Sequence, residues 1–240
     1  MTASRAMNAL QAALGYASTV MLATILAGLI AKRRVRLWYT FALLVVAVLA
    51  SAVMTALWPA RFYRWSYWQA KETAHHLIRF AMAVELAFRT FHAFPGALVT
   101  ARRVLLMVLV LTWTAVMAVP VVVDSDPAND VLALVAEVQP RVVNGTVWLF
   151  TAIAALILWY RLPVHPFHKA VLLGYVPYLV VFTILLNALG SLGWERIAVL
   201  SYVNQVSYLA LVTYWAYAVW RTYPAEVARP VDKRQVAQTA

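Results

Sequence analysis

The stretch WYTFALLVVAVLASAVMTALW, residues 38–58, runs 21 positions without one charged side chain. An apolar run of that length matches the bilayer's hydrocarbon core, which takes about 20 helical residues to cross. In hydrocarbon every backbone amide needs an internal partner, so a helix is the natural fold for such a run. Six further stretches have comparable length: 9–31, 66–92, 103–123, 131–160, 167–190 and 197–221. The predicted fold is all-α, a polytopic bundle of seven transmembrane helices over residues 1–221. Residues 222–240 are read as a disordered cytoplasmic tail, because they are polar and hold Pro224 and Pro230.

Composition agrees with this reading. Of the 240 residues, 64% are hydrophobic and only 12% charged, whereas soluble domains carry about 25% charged residues. The net charge of +11 is not read as a nucleic-acid footprint, because the basic residues gather where cytoplasmic loops would fall. With no cysteine in the chain, disulfides, thiolate nucleophiles and cysteine metal ligands are excluded. No GxxxxGK[ST] or GxGxxG motif is present, and the N-terminal residues do not read as a removable signal peptide.

Orientation follows from lysine and arginine. Connections after spans one, three and five, with the tail, hold twelve: Lys32, Arg33, Arg34, Arg36, Arg102, Arg103, Arg161, Lys169, Arg221, Arg229, Lys233 and Arg234. The other side holds four: Arg5, Arg61, Arg64 and Arg196. The positive-inside rule then places the N-terminus outside, the C-terminus in the cytoplasm and the chain in an inner (plasma) membrane. Trp38, Trp58, Trp159, Trp194 and Trp220 fall at span ends, where indole rings prefer the interface. The aromatic segment 58–68 reads as an interfacial turn or short helix.

Span three carries the chemistry. Lys71, Glu72, His75, His76, Arg79, Glu85, Arg89 and His92 all lie within it. An ion at bilayer depth costs at least about 2.5–3.5 kcal/mol, so such groups persist where they are paired, hydrated or turned inward. On a helical wheel Glu72, His75, His76 and Arg79 share one face, with Lys71, Glu85, Arg89 and His92 opposite. Glu72 with His76 and His75 with Arg79 are spaced i,i+4. Arg89 and His92 could extend to headgroups. Glu137, Arg141 and Asn144 in span five, Asn187 in span six, and Asn204 and Gln205 in span seven lie at matching depth. These six, with Glu72, His75, His76 and Arg79, are the ten-residue candidate site, either as ion pairs such as Arg79–Glu137 and Glu72–Arg141 or as a ligand cavity in the outer half. Leu209 is expected to face lipid.

Other chemistries find little support. Adjacent His75 and His76 diverge by about 100° and do not converge on one metal ion. His92, His165 and His168 all lie toward the cytoplasmic side, which disfavours haem held across the bundle. Span seven has no lysine for a retinal Schiff base, and no GxSxG motif is present. No catalytic residue, metal or cofactor is assigned.

The stretch VELAFRTFHAFPGALVTARR, 84–103, with Glu85, spaced Phe88, Phe91 and Phe94, Pro95-Gly96 and a basic pair, resembles an element of uncharacterised bacterial seven-span membrane proteins. The resemblance implies a seven-helix membrane fold and no particular activity. The expected function is a sensor-like or accessory membrane component acting through a partner membrane protein or a second copy of itself, with the lipid bilayer as surroundings and no nucleic acid. A carrier of small solutes or protons is the alternative, and an intramembrane enzyme the second.

Overall fold

The computed structural model describes residues 2–62, 64–92, 103, 107, 145–155, 157–158, 164–192 and 197–223. Among these residues the structure is helical throughout and contains no strand. Helix α1 spans Thr2–Ala31, α2 Tyr39–Leu57, α3 Pro59–Phe62 and α4 Trp65–His92. Helix α5 covers Gly145–Ala155, α6 Pro166–Leu192 and α7 Ile197–Trp220. A 3-10 turn at Arg34–Arg36 joins α1 to α2.

Three stretches are long and apolar enough to cross a membrane: Ala9–Ala31, Tyr39–Leu57 and Pro166–Leu185. They coincide with expected spans one, two and six. Helix α4 forms where span three was expected, but its charges keep it out of that class. Helix α7 carries no charge, yet its Ser, Asn, Gln and Tyr side chains dilute its apolar character. Span four, apart from residues 103 and 107, lies outside the described residues, as does the first half of span five. A seven-span count therefore stays with the sequence.

Apolar periodicity sets the packing. Helix α1 buries Ser18, Leu22, Ile25 and Leu29; α2 buries Phe41, Leu44 and Val45; α7 buries Leu211, Val212, Trp215 and Val219. These recur at three and four residues, one face of a helix. Helix α1 packs on α2 and α7, α2 on α4, and α6 on α7. The outward faces remain apolar, with Val20, Leu43, Val46, Leu77, Val203 and Val206 exposed. So much exposed aliphatic surface suits contact with lipid.

One end of the bundle is tied shut around residues 32–41. Arg33 takes the left-handed conformation, φ 54°, which costs a non-glycine residue about 1–2 kcal/mol. That reversal turns fully buried Arg34 under the end of α7, where its guanidinium donates to the carbonyls of Ala218 (3.0 Å), Val219 and Arg221 (2.6 Å). The charge also lies over the rings of Phe167 and Tyr223, at 5.4 and 5.0 Å. A cation on the terminal carbonyls complements the negative end of the helix dipole. Tyr223, assigned by the sequence to the tail, is buried here and donates to the Ala218 carbonyl (3.1 Å).

The mirror arrangement starts α2. No local side chain caps it. The Glu85 carboxylate of α4 instead accepts from Thr40 N–H (2.9 Å), the Thr40 hydroxyl (2.6 Å) and Tyr39 N–H (3.3 Å). Arg89, expected to reach headgroups, holds that same carboxylate at 2.6 Å. A layer of rings seals this end. Trp38 meets His168 edge-on at 5.0 Å, and Phe41 meets Phe167 and Trp215 at 5.9 and 5.0 Å. His168 Nε2–H donates to the Leu37 carbonyl at 3.0 Å. Trp38 is thus a core residue rather than an interfacial anchor, while Trp58 and Trp220 remain exposed. Of the aromatic segment 58–68, Pro59–Phe62 forms the short helix α3, while Trp65, Tyr67 and Trp68 belong to the first turn of α4.

The neighbouring cations of this connection are therefore unequal. Arg34→Gln should destabilise the protein by about 2–3 kcal/mol, since charged hydrogen bonds to several buried carbonyls are lost. Arg36→Gln, at an exposed side chain, should stay within about 0.5 kcal/mol. Unfolding titrations of both variants in mixed micelles check this, and equal losses would contradict it.

Candidate functional site

Away from the sealed end the helices diverge around a cavity of about 1040 Å³. Its walls come from six helices. Helix α1 gives Gln11, Gly15, Tyr16 and Thr19; α2 gives Val48, Ser51 and Thr55; α4 gives Lys71, Glu72, His75, His76 and Arg79. Thr146 comes from α5, Tyr175, Tyr178 and Phe182 from α6, and Asn204, Gln205, Tyr208 and Trp215 from α7. The mouth is marked by Ala12, Tyr16 and Ala56, which are exposed.

Six of the ten candidate residues meet here: Glu72, His75, His76, Arg79, Asn204 and Gln205. Helical spacing explains the first four, because positions 72, 75, 76 and 79 follow the i, i+3, i+4, i+7 stripe. Glu137, Arg141 and Asn144 lie outside the described residues. Asn187 is exposed and lines no part of the cavity. It sits five residues after Phe182, about 140° further round α6 at 100° per residue. Lys71 also departs from the wheel. Its long side chain reaches round to the cavity, where Nζ stands 3.1 Å from Glu72 Oε1. Leu209, expected to face lipid, packs against the core, and the outward face of α7 carries Val203 and Val206.

The polar contacts differ from the i,i+4 expectation. Arg79 donates to His76 Nδ1 at 3.4 Å, a pairing at i,i+3. The Ser51 hydroxyl donates back to the Ala47 carbonyl (2.8 Å), and its oxygen lies 3.4 Å from His75 Nε2. That contact connects α4 to α2 across the cavity floor. Both histidines are buried. Buried Asn204 Oδ1, Gln205 Oε1 and the Tyr175 hydroxyl lack hydrogen-bond partners among the described residues.

The sequence reading missed an aromatic wall. Tyr178 is ringed by Tyr175 at 6.4 Å, Phe182 at 6.1 Å and Tyr208 at 5.8 Å, and Trp215 lies 5.4 Å from Tyr175. The signal was present: Tyr175, Tyr178 and Phe182, then Tyr208, Leu211 and Trp215, each follow a three-then-four spacing. Six of these rings and aliphatics share the cavity with the charged face of α4. The site therefore combines one strongly polar wall with one aromatic wall, the composition of a pocket for an amphipathic small molecule. Among the described residues no three His, Cys, Asp or Glu side chains gather as a metal site.

Compared with known protein families, curated proteins and solved structures, the chain matches none.

The Asn204 Oδ1, without a partner among the described residues, makes a separable test. A buried carbonyl oxygen without a partner costs about 1–3 kcal/mol. Asn204→Leu should accordingly raise stability in detergent by about 1 kcal/mol, the pattern of a residue kept for binding rather than folding. Val203→Leu, on the outward face, should change it by less than about 0.5 kcal/mol. A clear loss on Asn204→Leu would mean that the amide is a structural tie.

Proposed function

We propose that this chain is a seven-span membrane receptor or accessory subunit that binds a small solute in the cavity and passes its effect to a partner chain. The observation that carries the reading is the convergence of Glu72, His75, His76 and Arg79 with Asn204 and Gln205 around one space of about 1040 Å³. Such a volume at the upper end of the ligand-pocket range, lined by converging polar groups, is the usual form of a binding site. The distribution of lysine and arginine puts the sealed end in the cytoplasm and the cavity mouth outside, in an inner membrane. The Ser51 hydroxyl, 3.4 Å from His75 Nε2, donates to the Ala47 carbonyl rather than to the imidazole, which favours a binding role over catalysis. The partner would be met at the 32–37 connection, where Lys32, Arg33 and Arg36 are exposed.

A carrier would need to expose the cavity alternately to both sides. The tie of Arg34 to α7 and of Glu85 to α2 holds the far end with buried and half-buried polar contacts, which supports a receptor over a carrier.

Coupling between the two ends is the testable content. A photo-crosslinking residue in place of Arg36 should capture a distinct membrane partner or a second copy in cells. Arg79→Gln, some distance along α4, should change the yield of that adduct at least about twofold, an energy shift of only about 0.4 kcal/mol. Absence of any adduct, with solute accumulating in liposomes that carry the purified chain, would contradict the receptor reading and favour the carrier.

A further inference from the structure

The geometry points to an organic anion as the cavity's ligand, a small acid whose charged group meets Arg79 and Tyr175 and whose apolar body rests on the aromatic wall. This inference rests on reading the cavity as a binding site.

The charges of the wall are the starting point. Among the described lining residues the permanent ions are Lys71, Glu72 and Arg79. Lys71 and Glu72 offset one another at 3.1 Å. Arg79 remains, and among the described residues no carboxylate lies within salt-bridge distance of it. Its hydrogen bond goes to His76 Nδ1, a neutral acceptor, at 3.4 Å. A guanidinium has five N–H donors, so most of its capacity is not met by that long contact. A cation set in an apolar surround is costly unless an anion or water answers it.

A second donor lines the same cavity as Arg79. Tyr175 is buried, and its hydroxyl has no partner among the described residues. A guanidinium with one long contact and a hydroxyl with no partner among the described residues, lining one cavity, describe the place of an oxyanion, for which charge-assisted hydrogen bonds are the strong ones. The rest of the volume is lined by Tyr178, Phe182, Tyr208 and Trp215. A bare inorganic anion would leave those rings unfilled, whereas an acid with a chain or ring of several carbons would cover them. Carboxylate and phosphate monoester share the chemistry that Arg79 and Tyr175 recognise.

The absence of cysteine allows a direct test on the full chain purified in detergent. Ser51→Cys places one thiol in the cavity wall, and Ser66→Cys places one on an exposed surface. Each is modified with a sulfonate-bearing and with a trimethylammonium-bearing methanethiosulfonate. The ratio of anionic to cationic rate at position 51 should exceed that at position 66 by at least about tenfold, as a cleft of one sign concentrates the opposite ion. Arg79→Gln should remove that excess and Arg79→Lys should keep it. Octanoate and octyl phosphate should protect position 51 saturably, and octylammonium should not. Protection by both acids with Arg79 intact supports the inference even if the Gln variant fails to fold. Equal rates, a ratio favouring the cation, or protection by octylammonium alone would overturn the organic anion while leaving a solute cavity in place. No reaction at position 51 with either reagent, while position 66 reacts, would overturn the cavity reading and this inference together.

Discussion

The buried guanidinium of Arg34, set on the last carbonyls of α7, is the contact on which the rest of the bundle depends. A helix leaves its last four carbonyls without intrahelical partners, and in apolar surroundings each must be answered from within the protein. Arg34 answers three of them, at Ala218, Val219 and Arg221. Its own charge is balanced by the negative end of the helix and by the faces of Phe167 and Tyr223. Because Arg34 follows α1 directly, this contact fixes the first helix to the last. Gly28 completes the junction: a Cβ there would stand 2.6 Å from Val219 and 2.8 Å from the Trp220 ring.

Glu85 does the converse for α2, offering a carboxylate to amides at the positive end of that helix. The two ties sit on either side of the 32–38 connection and carry opposite charges to opposite helix poles. Between them lies the layer of Trp38, Phe41, Phe167, His168 and Trp215. With helix ends answered and rings packed, the bundle is closed there. At the other end no such layer forms among the described residues, and the polar face of α4 and the tyrosines of α6 and α7 stand around the cavity.

The residues that sequence could reach were those governed by local rules. The positions of spans one, two and six followed from apolar length, and the grouping of Glu72, His75, His76 and Arg79 followed from helical spacing. Residues whose role depends on distant chain were not legible. Arg34 looked like one of four loop cations, and only the fold shows that it meets carbonyls 184 and more positions away. Glu85 and Arg89 looked like charges at membrane depth, Arg89 extending to headgroups, yet Glu85 caps a helix 45 residues earlier. Side-chain length defeated the wheel at Lys71, whose stem carries Nζ round to Glu72. Depth matching brought in Asn187 because depth ignores rotation about the helix axis. Trp38 was assigned to the interface by its position at a span end, whereas the His168 ring and the Leu37 carbonyl's partner place it in the core.

A bundle tied at one end and hollow at the other should differ in local stability along its length, since regions with fewer buried contacts open at lower free energy. Amide hydrogen exchange on the full chain in lipid nanodiscs measures that difference directly. Peptides covering 39–45 and 211–220 should be protected at least about tenfold more than those covering 11–19, 50–56 and 71–79, a difference in opening free energy of about 1.4 kcal/mol. Arg34→Gln should erase the protection of 211–220 first. Uniform protection along α1, α2 and α4, or slower exchange at the cavity end than at the Arg34 end, would contradict the account.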